Sequence, residues 1–362
     1  MLLAPPSLAL GTIAVALYRV IKRAETYSDS ADDVDTGGES WEQMRLANER
    51  NWDERVKHHT KPCATFYADC LKRISEGKQV SSNHKSNISS SSSSSGSCIT
   101  AIDREALGPH VQGKSLLHLQ CHFGLDTLSW IREGASEVVG LDFSRTAIEK
   151  ARNLSKELKI PAEFVVSDVY NAEKALCGRQ FDVVFTGVGA ICWLPDIRAW
   201  AKQVSKVLAD GGIFYIRDGH PMLNALADDD TPGYDDRKLD EKGGQDLLLA
   251  YPYFETKSPM VFDSGYTYTA MESNERLCNT RTYEWNHSLF EIIQALIDAG
   301  FTIQKVQEHR MLDWKFMESM VKGDDGFYRL PEHQRNRCAL MFTIMAQKKS
   351  VQHVRCNEKK CL

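Results

Sequence analysis

One loop in this sequence has the position and composition of a ligand-binding loop. It follows the apolar run 114–120, which is typical of a buried strand, and its predicted contact residues are Gln120, Cys121, His122 and Gly124. Loops that bind a dinucleotide have the pattern G-x-G-x-x-G, in which the glycines let backbone amides approach a pyrophosphate. A loop with a single glycine therefore argues against NAD or FAD. It fits S-adenosylmethionine (SAM), which carries no phosphate and needs only a close approach of the backbone to its methionine end.

An acidic residue closes the next apolar run, 137–142. Asp142 lies about 20 residues beyond the loop, where a carboxylate typically accepts hydrogen bonds from the hydroxyl groups of a ribose. The alternative is an acid that is stabilised by the N-terminus of the following helix. Phe143 and Ser144 continue the same turn, and we include both in the predicted cofactor site.

Two further turns complete the predicted cofactor site. Asp168 and Val169 follow the third apolar run, 162–167, where an adenine ring would stack, and the alternative for Asp168 is an acid in a turn. Gly187 lies near the end of the fourth run, and the small residues after it leave space beside a transferred methyl group. Trp193 is either a wall of that space or a core side chain.

Histidines and aromatic residues are the candidates for the acceptor side of the site. Methyl transfer from a sulfonium mainly requires alignment and exclusion of water, and a general base helps only where the acceptor loses a proton. His220 and His287 are the candidate bases, with histidines bonded to the backbone as the alternative. Aromatic side chains are the predicted contacts of a small apolar or cationic acceptor, with a satellite core over the sheet as an equal alternative: Trp193, Tyr251, Tyr253, Tyr283 and Trp285.

Apolar runs that alternate with helical patterns must position these residues. Such alternation predicts a parallel sheet with helices on both faces, and a ligand binds at the carboxyl ends of the strands in such a sheet. We predict a doubly wound, Rossmann-like α/β fold with a seven-stranded, mostly parallel sheet, closed by a late antiparallel pair at 301–307 and 339–346. The region of about 221–285 breaks the pattern. It is predicted to be an inserted substrate cap with short strands at 247–255 and 266–271.

The rest of the chain divides by composition. The predicted parts are an apolar segment and polar linker at 1–40, a helical segment covering the cofactor site at 41–80, a serine-rich loop at 81–100, the main domain at 101–347 and a flexible tail at 348–362. The uncharged stretch 2–17 is shorter than a spanning helix, which needs about 20 apolar residues. Three alternatives are left for it: a disordered or peripheral segment, a membrane anchor with contact through residues 2–18, or a targeting peptide.

Charge and cysteine usage exclude several functional classes. The chain has 362 residues and a formal net charge of −5, so it lacks the basic surface of a general nucleic-acid-binding protein, and we expect no nucleic-acid partner. Its 10 cysteines form no C-x-x-C pair, so neither a zinc ribbon nor a thioredoxin motif is predicted, and we assign no metal site. We expect free thiols in a reducing compartment, the cytoplasm. The sequence carries no signal for an oligomeric state.

Six motifs resemble those of one class I SAM-dependent methyltransferase family that is common in bacteria and fungi. They are LHLQCHFGLDTLSW at 117–130, NWDERV at 51–56, VGLDFS at 139–144, CWLPD at 192–196, YEWNH at 283–287 and YRLPE at 328–332. The resemblance extends over about 41–346. It implies the methyltransferase fold and SAM binding, and it names no acceptor.

We therefore predict an enzyme that transfers a methyl group from SAM to a small-molecule acceptor. The alternatives are a non-catalytic SAM-binding module of the same fold, tethered to a membrane by its N-terminus, and a nucleotide-linked oxidoreductase. The presence of Gly124, Asp142 and Asp168 favours the enzyme over the module, because a decayed site would tolerate their loss. The apolar N-terminus, the serine-rich insert and the C-terminal tail depart from the family pattern.

Overall fold

The computed structural model describes residues 39–61, 63–76, 96–228, 231, 234, 238–269, 271 and 275–350. The predicted apolar N-terminal segment with its membrane contact at 2–18, residues 81–95 of the predicted serine-rich loop and residues 351–362 of the predicted tail lie outside the described residues. Among the helices of the described part, none combines the length and the hydropathy that crossing a bilayer requires.

A seven-stranded sheet forms the centre of the described chain. The described residues form eleven strands, seven of them in this sheet. In chain order they are β1 (Ser115–Leu119), β2 (Glu137–Asp142), β3 (Glu163–Val166), β4 (Phe181–Thr186), β5 (Leu208–Gly219), β6 (Met260–Asp263), β7 (Arg281–Glu284), β8 (Phe301–His309), β9 (Val321–Lys322), β10 (Tyr328–Arg329) and β11 (Met341–Lys348). The main sheet has the order β3-β2-β1-β4-β5-β11-β8, and only β11 runs antiparallel to its neighbours. The predicted doubly wound fold with a late antiparallel pair is confirmed.

Helices cover both faces of this sheet. In chain order, the helices are α1 (Trp41–His59), α2 (Thr65–Glu76), α3 (Ala101–Val111), α4 (Leu125–Arg132), α5 (Arg145–Leu158), α6 (Ala172–Ala175), α7 (Ile197–Val207), α8 (Pro221–Asn224) and α9 (Leu289–Asp298). Strand order reverses between β1 and β4, where a doubly wound sheet opens a crevice at the carboxyl ends of its strands.

Successive side chains of the central strands pack on opposite faces of the sheet. Leu117 and Leu119 of β1 join the core that contains residues of α7 and α9, whereas Leu116 joins the core that contains residues of α3 and α4. This is the period of two that a strand imposes. Because both faces are covered, β1 and β2 are apolar on both sides, which explains why they appear in the sequence as continuous hydrophobic runs.

Helix α1 lies outside the sheet and is held by polar contacts along its length. It begins with a capping box in which the Ser40 hydroxyl and the Gln43 side chain each bond the other residue's backbone N–H. Asn48 exchanges two hydrogen bonds with the backbone of Tyr283 on β7, at 2.8 and 2.9 Å. Near its middle, Asp53 accepts a hydrogen bond from the Ser144 hydroxyl at 2.5 Å. The helix therefore joins the cap to the turn that follows β2.

The cap contains a two-stranded antiparallel sheet, β6–β7. The strands predicted at 247–255 and 266–271 are wrong: the first contains only an isolated bridge between Leu249 and Leu226, and the described part of the second contains no strand. Aromatic residues raise strand propensity in both segments, but a strand forms only where a neighbouring backbone completes its hydrogen bonds. In the cap, such pairing occurs between the segments 260–263 and 281–284.

Candidate functional site

The loop after β1 has an unusual backbone conformation. Gln120 and His122 have φ values of 55° and 52°, in the left-handed region that costs L-residues about 1–2 kcal/mol each. Gly124 has a φ of 80°, and a Cβ built there would approach the Phe164 ring to 2.6 Å. The single glycine of the loop is therefore required both by its backbone conformation and by its packing.

Hydrogen bonds to two neighbouring segments hold this loop in place. The Cys121 N–H donates to the carbonyl of Leu141 at 3.0 Å, and the Gln120 amide donates to the carbonyl of Ala190 at 2.6 Å. The buried Gln120 Oε1 and His122 Nε2 have no hydrogen-bond partner. Gln120 bonds the loop after β4, whereas the His122 ring packs against Trp52 of α1. A polar ligand that reached either unsatisfied atom would bond it.

Asp142 is the acidic residue at the centre of the crevice. Its carboxylate accepts the backbone N–H of His122 at 2.8 Å and that of Ser144 at 2.9 Å, and it is 6% exposed. Burial raises its pKa to about 6, against the lowering effect of the two backbone donors. Ser144 caps α5, and the half-buried Phe143 lies between the two residues. Since each carboxylate oxygen can accept more than one hydrogen bond, Asp142 keeps acceptor capacity for ribose hydroxyls.

The turn after β3 brings Asp168 close to α1. Its carboxylate accepts the Tyr170 N–H at 2.9 Å and lies 3.9 Å from Nε of Arg45. Burial raises the pKa of Asp168, and the Arg45 charge opposes this rise. Val169 is buried beside it in a short 3₁₀ turn. Both residues lie on the same side of the sheet edge as Asp142, as the sequence predicts, because parallel strands end at the same edge.

Asp218, which the sequence analysis did not select, organises the loop after β4. Its buried carboxylate accepts the backbone N–H groups of Ala190 and Ile191, at 3.0 and 3.1 Å, and also those of Gly189 and Gly219. Its position at the carboxyl end of the fifth strand, two residues before His220, is the sequence feature that could have indicated this role. Gly187, at the start of this loop, faces His118: a Cβ there would lie 3.4 Å from the imidazole.

The two candidate bases, His220 and His287, are hydrogen-bonded to other groups of the protein. His220 caps α8: its Nδ1 accepts the Met222 N–H at 3.0 Å, so its Nε2 carries the proton and donates to Glu308 at 2.9 Å. His287 donates from Nε2 to the carbonyl of Leu194 at 2.7 Å. These contacts match the alternative that the sequence left open, in which each histidine stabilises neighbouring structure.

The five aromatic residues predicted to contact the acceptor occupy different environments. Tyr283 and Trp285 pack with Met44 of α1 in a small buried cluster, which is the satellite core that was the alternative. Tyr253 is half-buried and packs edge-on against Phe254. Tyr251 lines a cavity in the cap. Trp193 donates from Nε1 to the Gly189 carbonyl at 2.8 Å and packs against α1.

The cavity lined by Tyr251 is small, with a volume of about 80 Å³, and lies between the cap and the loop after β4. Its walls combine aromatic, acidic and amide side chains, among them Cys192, Asn224, Asp228, Tyr251, Phe262 and Glu284. Cys192 of this cavity lies on the loop after β4, directly before Trp193. A molecule in the cavity would thus lie beside the loop that also borders the cofactor crevice.

Helix α1 covers the crevice with side chains that the sequence analysis did not select. The Trp52 ring contacts the rings of His122 and Trp193, with centroids 5.2 and 5.3 Å apart. The Arg55 guanidinium lies 5.2 Å from the Trp52 ring centroid. The motif NWDERV contains both residues, and their spacing of one helical turn places them on one face.

These features fit SAM. The loop has no cradle of successive glycine amides for a pyrophosphate, whereas Asp142 and Asp168 provide carboxylates at the ends of β2 and β3. The unsatisfied atoms of Gln120 and His122 lie on the loop after β1, where polar groups of a methionine end would bond them.

Comparison with known proteins agrees with this geometry. Residues 117–214 match the profile of a family described as a methyltransferase domain. The chain is 26% identical over 172 residues to a ribosomal protein L11 methyltransferase from Laribacter hongkongensis, covering 47% of this chain and 46% of that protein. It is 33% identical over 100 residues to a ubiquinone biosynthesis O-methyltransferase from Proteus mirabilis, covering 28% of this chain and 40% of that protein. The chain thus spans less than half the length of these relatives.

A solved structure of an S-adenosylmethionine dependent methyltransferase from Mesorhizobium loti aligns with a TM-score of 0.42 and 17% identity, covering 68% of this chain and 98% of that chain. The matched segment 117–214 runs from β1 into β5 and contains the loop, Asp142 and Asp168. The segment 117–214 therefore matches a methyltransferase-domain family, in agreement with the resemblance that the sequence motifs indicate.

Proposed function

We propose that this protein is an enzyme that transfers a methyl group from SAM to a small-molecule acceptor bound in the cap cavity. The observation that carries the acceptor class is the cavity itself, about 80 Å³, which is bounded by the cap and by the loop after β4. A cavity of this size holds only a small group, whereas a polymer needs an open groove. The two relatives named above act on different acceptors by their names, so the acceptor class is argued from the cavity alone.

The cofactor would be held by residues at four strand ends. Asp142 would accept from the ribose hydroxyls, and Asp168 and Val169 would contact the adenine. The loop Gln120–Gly124 and Gly187 would border the methionine end. When bound, SAM supplies a methyl group on a positively charged sulfur, and that sulfur leaves as a neutral thioether.

The chain's own contribution is alignment and exclusion of water. Trp52 and Trp193 pack over the loop after β1 and separate the crevice from solvent. Since His220 and His287 bond groups of the fold, a proton lost by the acceptor would pass to a carboxylate of the cavity, Asp228 or Glu284. An acceptor that is already unprotonated at the reacting atom needs no such step.

The test has a binding arm and a transfer arm. Calorimetry should detect binding of SAM and S-adenosylhomocysteine (SAH) and no binding of NAD. The transfer arm incubates the protein with methyl-labelled SAM and cell extract that has been divided by size into metabolites and macromolecules. Label should enter the metabolite fraction, because the cavity admits only small molecules. Label confined to protein or RNA would refute the small-molecule acceptor, and binding without any transfer would favour the non-catalytic module.

A cap variant makes the transfer arm specific to the cavity. Tyr251→Ala removes an aromatic wall and should reduce labelling of metabolites by roughly tenfold or more, since buried aromatic contacts dominate pocket energetics. Its SAH affinity should stay unchanged. Tyr266→Ala is the matched control, because Tyr266 is a cap tyrosine that is 53% exposed. Equal labelling by the two variants would place the acceptor elsewhere.

A further inference from the structure

Arg55 is a cation enclosed by aromatic rings. Its guanidinium lies 5.2 Å from the Trp52 ring centroid and 6.0 Å from that of Trp193. Its Nε is buried and has no hydrogen-bond partner. Aromatic faces attract a cation, but they satisfy none of the N–H donors of a guanidinium.

The neighbours of Arg55 leave its charge poorly compensated. Burial is the largest influence on its pKa and lowers it, whereas Glu284 is the carboxylate that opposes this effect most strongly. The nearby imidazoles of His59 and His122 are neutral, because burial together with the Arg55 charge lowers their pKa values to about 2 and about 3. A partly buried cation in such surroundings is stabilised by a partner anion that can accept its hydrogen bonds.

The position of Arg55 identifies which ligand would bring that anion. Three elements meet at this guanidinium: α1, which carries it, the loop after β1 through His122, and the loop after β4 through Trp193. These two loops flank the point where strand order reverses, which is where a doubly wound sheet binds its ligand. The unsatisfied acceptor Gln120 Oε1 lies on the first of these loops.

The crevice is therefore lined by the partly buried guanidinium of Arg55 and, on the neighbouring loop, by an unsatisfied acceptor. This pairing suits a zwitterion, whose carboxylate needs a donor and whose ammonium group needs an acceptor. The amino-acid end of SAM is such a group. A carboxylate of the acceptor molecule would present the same chemistry to Arg55, and the choice of ligands in the experiment separates the two sources.

We propose that Arg55 binds the carboxylate of the amino-acid end of the cofactor, while Gln120 Oε1 accepts from its ammonium group. The inference rests on the proposed function, because it assigns a residue to the cofactor of that reaction. The planar fork of the guanidinium can hold both oxygens of a carboxylate, which a lysine cannot do.

The experiment compares two ligands that differ by the amino-acid end. SAH contains it, and 5′-methylthioadenosine lacks it. For Arg55→Met, calorimetry should show that the dissociation constant for SAH rises by roughly 10–100-fold, the range expected for lost hydrogen bonds to a charged group. The dissociation constant for methylthioadenosine should change less than about threefold. Arg55→Lys, which keeps the charge without the fork, should weaken SAH to an intermediate degree and leave methylthioadenosine unaffected.

Arg50→Met is the matched control, because Arg50 is an exposed arginine on the same helix, and it should bind both ligands like the wild type. An equal loss for both ligands in Arg55→Met would indicate that Arg55 only supports the fold, and no loss for SAH would assign Arg55 to another anion. Either result overturns the inference while wild-type SAH binding leaves the proposed function standing. Wild-type protein that binds neither ligand would contradict the proposed function and this inference together.

Discussion

The Asp142 carboxylate fixes the shape of the loop after β1, and it is also the proposed acceptor of the ribose hydroxyl groups. It accepts the N–H groups of His122 and Ser144, so it connects the loop after β1 to the turn before α5. Two backbone donors compensate part of the cost of burying the charge, and the cofactor's hydroxyl groups would compensate more. Its chemistry therefore predicts both how tightly the cofactor binds and how that affinity depends on pH.

Asp142→Asn should weaken SAH binding by roughly 10–100-fold, because the amide has a single oxygen acceptor and cannot serve two N–H donors and a ribose diol together. The measurement is calorimetry with SAH. Asp298→Asn, an exposed acid on α9, is the control and should bind SAH normally. An Asp142→Asn variant with wild-type affinity would refute the ribose assignment.

The same carboxylate predicts a pH dependence of cofactor binding. Burial raises the pKa of Asp142 to about 6, so below this pH the group becomes neutral and loses acceptor strength. The dissociation constant for SAH should rise as the pH falls from 7 to 5, approaching about tenfold per unit. The facing groups support this assignment: the pKa of His122 is about 3, so it stays neutral in this range, and the charge of Asp53 raises the pKa of Asp142. Asp142→Asn should bind SAH with little pH dependence, and a wild-type affinity that is flat between pH 5 and 7 would argue against the assignment.

Stability should respond to this group in the opposite direction. Because the pKa of Asp142 is higher in the folded protein than its ordinary value of 3.8, protonation favours the folded state. Its contribution to the free energy of unfolding therefore increases as the pH falls from about 6 towards 4. As the pH falls over this range, SAH affinity should decrease while the contribution of Asp142 to the free energy of unfolding increases.

At the scale of elements, two residues at the end of β5, Asp218 and His220, fix segments on the proposed acceptor side. Asp218 holds the loop after β4 by accepting its backbone N–H groups, and His220 begins α8 at the edge of the cap. Removing the hydrogen bonds of either side chain should reduce methyl transfer even if that side chain does not contact a ligand, because each fixes a segment that lines the cavity or the crevice.

Asp218→Asn should lower the free energy of unfolding by about 1–3 kcal/mol, because the amide nitrogen cannot accept from Ala190 and Ile191 and would leave buried N–H groups unsatisfied. Denaturant titration measures this change. Methyl transfer should fall as well, since the loop carries Cys192 and Trp193. Asp298→Asn should leave the midpoint unaltered, and a fully stable Asp218→Asn variant would mean that the loop holds its shape without this carboxylate.

His220→Asn separates the two roles considered for His220. Asparagine is a favourable N-cap residue, so the start of α8 should be preserved, whereas an amide cannot act as a general base. If His220 only caps the helix, turnover should stay within about threefold of the wild type, as measured with labelled SAM and the identified acceptor. A loss of more than about 100-fold with normal SAH affinity would assign catalysis to His220 after all.

At the scale of the whole molecule, the main sheet was predictable and the cap was not. Covered on both faces, the central strands form apolar runs that a sequence shows directly, and their shared edge brings Asp142 and Asp168 together. The cap strands form where 260–263 finds 281–284, a pairing that local composition does not encode. Arg55 and Asp218 escaped prediction for a similar reason, since their contacts lie on other elements.

The aromatic residues of the cap illustrate the same limit of local pattern. Tyr251 and Tyr283 have similar surroundings in sequence, yet one lines the cavity and the other packs against Met44 of α1. The contact of Tyr283 with α1 distinguishes the two, and strands β1 to β5 separate α1 from the cap in the chain.

Helix α1 is attached to the cap as firmly as it is placed over the cofactor crevice. Asn48 bonds the backbone of Tyr283, and Glu54 accepts the N–H groups of Cys278 and Asn279, both at 2.8 Å. The same helix carries Trp52 and Arg55 over the proposed cofactor crevice, so an SAH molecule that left past α1 would also loosen β7, which carries Glu284 of the cavity wall. The proposed cofactor and acceptor sites would then open in one step, and the rate of that step would set an upper bound on turnover.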